Sequence, residues 1–391
     1  MSINCRVHRR KKDPKLIVKG ENRIRVMIAS GGTGGHVYPA LAIAEAMTTQ
    51  YPGVSLSFVG SVGGFERPLV QEAGVPFAAY DEVLAGPLHG VSFARTLISA
   101  VKLALGTLQA LWLVGRGRPK SLLLTGGWVG LPVALAAWLW RVPILIFVPD
   151  IEPGASIRAL RRFARKIALS VPDSQTYFPN QRTIVTGYPL RRQMREATRE
   201  HAIQHFGLQP RRPTLLVFGG SRGARAINYA LLDVLPALLE RGVQVIHVTG
   251  TLDWPDMLKR REAMPDATHY HAFPYLHQEM GLAMAAADLV VSRAGASVLG
   301  EFPLFGLPAI LVPYPHAWRY QKVNADYLAS QGAAVRLDES EMLTSLLAVI
   351  ESILFNVDKL ASMRAASAAL AHPDGSERAS AELVQLAGGA A

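Results

Sequence analysis

Short apolar runs that break at glycine and give way to longer segments without a breaker recur along the chain. The first, from Ile24 to Ala29, ends at Gly31-Gly32-Thr33-Gly34-Gly35 and continues through His36 and Pro39 into an Ala-rich stretch reaching Met47. This reads as strand, tight loop, helix. Val54–Val59 is a second strand, closed by Gly60 and Gly63-Gly64, and Phe65–Ala73 a helix. Residues 91–115 are helical by pattern. Ser121–Thr125 is a buried strand running into Gly126-Gly127 and then a helix through Trp140, and Val142–Val148 is a further strand. Strands alternating with helices at this spacing predict a parallel, doubly wound sheet. Ligands of such sheets bind beyond the carboxyl ends of the strands, so the loops at 31–36, 61–66, 126–131 and 149–155 are expected on one rim.

Between 185 and 213 the sequence turns polar, charged and Pro-marked, and then the opening design repeats. Thr214–Phe218 is a strand, Gly219-Gly220-Ser221-Arg222-Gly223-Ala224-Arg225 a Gly-rich loop, and Ala226–Leu239 a helix. Val243–Val248, His271–Leu276, Leu289–Ser292 and Ala309–Val312 continue the second unit, with Ala309–Val312 its last clear strand. Tyr314–Gln321 reads as an irregular loop before a helix from about Lys322, and the chain beyond 340 is mostly helical. The repeat predicts two similar α/β domains facing each other across a cleft, with a C-terminal helix returning to the first.

Composition narrows this further. At 391 residues the chain holds two domains with a core each, and its one cysteine, Cys5, excludes an internal disulfide framework and a thiolate metal cluster. The net charge of +11 is concentrated, with seven Lys and Arg against Asp13 alone in residues 6–19 and a second basic run at 158–166. The N-terminal run reads as a disordered extension, with an anionic membrane surface as the next partner and nucleic acid last; no apolar segment follows that would make it a secretory signal. No uninterrupted run of about 20 apolar residues occurs, so no spanning helix is expected. Leu97–Val114 and Leu131–Trp140 read as buried core helices. Yet Leu111, Trp112 and Leu113 precede Arg116, Arg118 and Lys120, and Trp138 and Trp140 precede Arg141. Apolar surface beside cations is what docking on an anionic bilayer requires.

The glycine loop carries the first candidate chemistry. Glycines admit positive φ and close approach of a ligand to the main chain, and the following helix start favours phosphate or a developing anion. A purely structural turn is the alternative. The glycines at 31, 32, 34 and 35 match neither the dinucleotide-binding G-x-G-x-x-G nor a phosphate-binding loop ending in Lys-Ser/Thr.

Taken together, Gly31–His36 with Pro39–Ala42, Gly126-Gly127, Gly187-x-Pro-x-Arg191, Gly219–Arg225, Arg293-x-Gly-Ala296 with Glu301, and Gln321-x-x-Asn324-Ala325 resemble the two-domain glycosyltransferases of GT-B fold and, within them, the MurG family. The resemblance runs from about residue 24 to 385. It implies an α/β protein of two Rossmann-like domains. In it, 1–23 is an extension, 24–185 binds acceptor, 186–212 links, 213–370 binds donor, and 371–391 is a C-terminal helix and tail. It implies inverting transfer of N-acetylglucosamine from UDP-N-acetylglucosamine to lipid I in peptidoglycan synthesis, at the cytoplasmic face of the membrane, with no cofactor, no metal and no nucleic acid. Glu301, in the segment Ala296-Ser297-Val298-Leu299-Gly300-Glu301, would accept from the ribose hydroxyls. Ser221 and Arg191 would hold the diphosphate, uracil would lie near His277, and Gln321 would meet the donor sugar, with Thr33, Gly34 and Gly35 also facing the donor. Without the family, Glu301 reads first as a first-turn helix acid and Gln321 as a solvated polar residue. Gly31, Gly32, Gly126 and Gly127 would line the acceptor side. His36, at a helix start, is the candidate base, a structural or phosphate-positioning role being its alternative.

Two departures stand out. The family usually has His-Glu-Gln-Asn, its Asn touching the donor sugar, where this chain has Phe147-Val148-Pro149-Asp150; Asp150 would accept from the donor at that place and is the alternative base. Trp128, Gly130 and Leu131 replace the Tyr, Ser and second Gly of the family's second glycine turn. A related transferase with a different lipid-linked acceptor, or a sugar-nucleotide-binding protein without catalysis, are the competing expectations.

Overall fold

The computed structural model describes residues 24–88, 92–220, 223–316 and 319–389. The basic run at 6–19 and Ser221 lie outside them.

The first unit is a seven-stranded parallel sheet of order β3-β2-β1-β4-β5-β6-β7. Its strands are β1 (Arg25–Ser30), β2 (Ser55–Ser61), β3 (Phe77–Val83), β4 (Ser121–Gly126), β5 (Ile144–Val148), β6 (Lys166–Leu169) and β7 (Thr183–Val185). Five helices accompany them: α1 (Gly34–Gln50), α2 (Glu66–Glu72), α3 (Phe93–Gly117), α4 (Gly130–Leu139) and α5 (Ala155–Leu160). Strands β4 and β5 are buried along their whole length, as their Leu- and Ile-rich sequences require of a sheet covered on both faces.

A connecting segment carries two short helices, α6 (Arg192–Arg195) and α7 (Arg199–Phe206). The second unit is a six-stranded parallel sheet of order β10-β9-β8-β11-β12-β13. It comprises β8 (Thr214–Phe218), β9 (Gln244–Val248), β10 (Tyr270–Phe273), β11 (Leu289–Ser292), β12 (Ala309–Leu311) and β13 (Ala334–Arg336). Its helices are α8 (Arg225–Glu240), α9 (Trp254–Glu262), α10 (Met280–Ala286), α11 (Val298–Leu304), α12 (Tyr320–Ser330), α13 (Met342–Leu354) and α14 (Val357–Ala369), and α15 (Gly375–Leu386) ends the fold.

Several expectations are corrected. Ala309–Val312 is not the last strand, since β13 follows it and pairs with β12 through Ala309↔Ala334. The helix after the 314–319 loop starts at Tyr320, so Gln321 is helical. Strands β3, β6 and β7 join the first sheet where no strand is predicted; β3 is half-exposed and β6 and β7 are only four and three residues long. Helix α3 is not a core helix. One face packs on α4, while Phe93, Leu97, Val101, Leu105, Leu108 and Trp112 point to solvent.

In each sheet the strand order reverses once, between β1 and β4 and between β8 and β11, and the crevice beyond a reversal is where such sheets bind ligands. The Gly31–His36 and Gly126-Gly127 loops leave the first reversal. The turn at Gly219-Gly220 and the Arg293–Ser297 loop leave the second. The chain crosses between the units twice. At the first crossing Gly187 has φ +87°, and a Cβ there would collide with His372 of the second crossing. Beyond it, α15 packs on α1, with Ala379, Leu383 and Val384 buried in the first unit's core, Ser380 Oγ donating to Gln50 at 2.7 Å and Glu382 paired with Lys166. The apolar cluster runs without a break from the first sheet through Tyr188, Leu190 and Met194 into the second unit.

Candidate active site

The β1–α1 loop is shaped by its neighbour. Gly32 has φ +89°, Gly126 φ +132° and Gly127 φ +83°, all in the region that only glycine enters freely. A Cβ on Gly126 would lie 2.5 Å from His36 Cδ2, and one on Gly127 would overlap the Gly31 carbonyl. The two turns therefore interlock. Gly31, Gly126 and Gly127 are buried in each other, and Gly32 is the one of the four that is exposed.

His36 is fixed within this interlock. Its Nδ1 lies 3.2 Å from both the Gly31 carbonyl and Thr33 Oγ1. A carbonyl only accepts, so Nδ1 carries the proton and Nε2 keeps the lone pair. Burial lowers the imidazole below its ordinary pKa, opposed by the bond to Gly31. Helix α1 has no acidic residue in its first turn and no side-chain cap, which leaves the N–H groups at Gly34 and Gly35 open to an anion.

A cavity of about 310 Å³ joins His36 and Thr33 to Trp128, to the Val148–Asp150 end of β5, to the Pro153–Ile157 turn and to Tyr320 of the second unit. Both candidate bases thus face one space. Asp150 Oδ1 accepts from Asn324 Nδ2 at 2.9 Å; burial pushes its carboxyl up to about 6, against the pull of that bond. Tyr320 and Asn324 come from α12. Sequence reading gave neither of them a role, although the spacing of Gln321 and Asn324 places both on one helical face.

The other predicted residues lie along the second unit's rim. Glu301 is half-buried on α11. Burial raises its carboxyl, while Ser297 and the charge of Arg191 act against this. Tyr188 packs on Gly300, where a Cβ would lie 2.5 Å from Tyr188 Cβ. Burial raises the Tyr188 phenol far above its usual range, helped by the charges of Glu301 and Asp150 and opposed by Arg191. Arg191 stands over the Tyr38 ring at 4.7 Å, and Tyr38 Oη meets Tyr275 Oη at 3.3 Å across the units. Ala296, Val298, Leu299 and Gly300 are buried; Ser297 is half-buried. Gln321 Oε1 accepts the Tyr314 N–H at 2.9 Å, and exposed His277 stacks edgewise on Tyr275 and lines a separate cavity with Arg191 and Tyr38. Helix α8 again starts with no acid in its first turn and no side-chain cap, just after Gly223 and Ala224. Arg293, by contrast, is spent internally on Glu339 and the carbonyls of Val312 and Pro313. Among the described residues no group of three His, Cys, Asp or Glu side chains is placed to hold a metal ion.

Comparison with known proteins agrees with this layout. The glycosyltransferase family 28 N-terminal domain matches residues 26–169 and the family 28 C-terminal domain residues 214–379. A protein of Desulforudis audaxviator named "UDP-N-acetylglucosamine--N-acetylmuramyl-(pentapeptide) pyrophosphoryl-undecaprenol N-acetylglucosamine transferase" is 40% identical over 358 residues, covering 90% of this chain and 95% of that one. A protein of the same name from Roseiflexus sp. is 38% identical over 415 residues, covering 91% and 93%. The crystal structure of Acinetobacter baumannii MurG superposes with a TM-score of 0.71 at 27% identity, over 92% of this chain and 99% of that one. With the two domain matches falling in order on the two sheets, and full-length relatives at this identity, the chain belongs to glycosyltransferase family 28.

Proposed function

We propose that the chain transfers N-acetylglucosamine from UDP-N-acetylglucosamine to the muramoyl sugar of lipid I, with inversion, to form lipid II. The observation that carries this reading is the shared cavity, in which a neutral His36 and the Asp150 carboxylate of one unit face Tyr320 of the other, beside the Gly-rich loop that precedes the uncapped helix α1. The names of the relatives supply the donor and acceptor.

Transfer is a single displacement. His36 Nε2 takes the proton of the acceptor hydroxyl as that oxygen bonds to the anomeric carbon, and the bond from this carbon to the β-phosphate oxygen of UDP breaks. Negative charge developing on UDP meets the α8 N-terminus and Arg191. The proposed step uses acceptor hydroxyl, imidazole and backbone dipoles, and calls on no organic cofactor. Glu301 accepts from the ribose hydroxyls, and the NH2 end of Gln321, its oxygen being held by Tyr314, donates to the sugar. In the decisive assay, purified protein receives labelled UDP-N-acetylglucosamine and lipid I in detergent, and a disaccharide-lipid of the expected mass is the expected product. Trp128 and Asp150 on the cavity wall favour a second reading, a different lipid-linked acceptor; UDP release with other lipids but not with lipid I would establish it.

The acceptor's lipid places the site at a bilayer, and α3 supplies the surface. Phe93 is 86% exposed, Leu108 65%, Trp112 61% and Trp138 56%, beside Arg95, Lys102, Arg116, Arg118 and Arg141. The helix is 25 residues long and apolar enough to cross a membrane by composition. However, Gly106 is pressed on the Leu84 carbonyl and Gly115 on Trp140, so it is docked along the unit and presents one apolar stripe. Binding to anionic vesicles is expected to weaken with salt and to fall at least about tenfold in Leu108→Glu/Trp112→Glu, as measured by co-sedimentation. No binding of the unaltered chain at low salt would remove the docking surface.

A further inference from the structure

The Asn324 carboxamide is fully buried, and it makes three hydrogen bonds to two loops that belong to different units. Its Nδ2 donates to Asp150 Oδ1 at 2.9 Å and to the Ala294 carbonyl at 3.1 Å, and its Oδ1 accepts the Ile151 N–H at 3.2 Å. Asp150 and Ile151 follow β5, and Asp150 lines the cavity; Ala294 lies in the loop that leads from β11 to Glu301. An amide has both donors and an acceptor at this size. Aspartate would lose both donors, and an apolar side chain all three contacts. Among the described residues Asp150 Oδ2 has no hydrogen-bond partner, so the side chain is held by one oxygen and presents the other.

We propose that Asn324 is a positioning residue of the transfer site: it turns Asp150 so that Oδ2 stands in the cavity as acceptor for a substrate hydroxyl, and it ties that orientation to the donor loop at Ala294. The proposal rests on the glycosyl-transfer reading above. Donation to Oδ1 also stabilises the ionised form, in opposition to burial, which pushes Asp150 up to about 6. Other charges bear on the same carboxyl. His36 and Tyr320 face it across the cavity, and Glu152, two residues on, is committed to Arg158 and Arg319. Behind it, Tyr188 is held between the charges of Glu301, Arg191 and Asp150. None of these replaces the Asn324 amide as a donor to Oδ1.

Two measurements test this. In Asn324→Asp and Asn324→Ala, the acid limb of the kcat profile should move upward by about one pH unit or more, so that turnover falls at least about fivefold at pH 6 and changes much less at pH 8.5. The second readout needs no turnover. Asp150 ionises at about 6 in the folded chain against an ordinary 3.8. A carboxyl raised in this way contributes stability below its unfolded pKa and loses it as pH climbs through the folded one. The Tm of the unaltered chain minus that of Asp150→Asn should therefore fall from about pH 4 to pH 6 and then level off. With Asn324→Ala in both members of the pair, the fall should continue to higher pH. A fall that ends at the same pH in both backgrounds would overturn the proposal whatever the turnover. Absence of transfer by the unaltered chain would instead overturn the functional reading and leave the Tm comparison to decide the role of Asn324.

Discussion

Replacing His36 with alanine is expected to lower kcat for transfer by about 10²- to 10⁴-fold, with the KM for the UDP-sugar within a few-fold of the unaltered chain. The expectation follows from how the ring is held. The Gly31 carbonyl accepts the Nδ1–H hydrogen bond, burial keeps the imidazole neutral near pH 7, and Gly126 lies against the Cδ2–Nε2 edge, so the ring has one placement and one tautomer. Alanine removes the proton acceptor and leaves the donor contacts on the second unit untouched, which is why kcat and KM should separate. Steady-state kinetics of His36→Ala beside Asp150→Ala decides between the two groups. If His36→Ala stays within a few-fold of normal turnover while Asp150→Ala abolishes it, Asp150 is the base.

A methyl group at Gly127 is expected to be as damaging as loss of the base, for a different reason. At φ +83° an L-residue costs about 1–2 kcal/mol, and the added Cβ would also overlap the Gly31 carbonyl. The loop carrying His36 must shift to relieve that overlap, and a displacement of about 1 Å in a reacting group costs about a hundredfold in rate. Gly127→Ala should therefore lose at least about two orders of magnitude in transfer and about 5–10 °C in Tm, while calorimetric binding of UDP to the second unit persists. Gly53→Ala is the control: no atom stands within 4 Å of its added Cβ, and its φ is ordinary. Equal transfer by Gly127→Ala and Gly53→Ala would mean that the interlock of the two turns does not set the position of His36.

The repeated grammar of apolar run, glycine turn and breaker-free helix made both sheets legible, because β1, β4, β5, β8 and β9 are buried strands whose composition is set by contact on both faces. The edge of a sheet writes a fainter signal. Half-exposed β3 mixes Asp81 and Glu82 with Phe77 and Val83, and the edge strands β7 and β13 have three residues each. His36 and Asp150 stand out in the sequence because each is a proton-accepting residue type at a turn, and both line one cavity. A role that depends on a partner far along the chain leaves no such mark. Asn324 meets Asp150 174 positions away, and Gly127 meets Gly31 through space alone. The exposure of Trp112 and Trp138 belongs to the same class, since an apolar stripe is written identically whether it faces a core or a bilayer.

The return of α15 to the first unit sets the order in which the molecule can be finished. During synthesis the first unit emerges before the second, yet the face of α1 that receives Ala379, Leu383 and Val384 stays open until α15 has left the ribosome. A nascent chain arrested after β13 would hold an assembled second sheet beside a first unit still lacking part of its covering. The half made first is therefore the half whose covering arrives last.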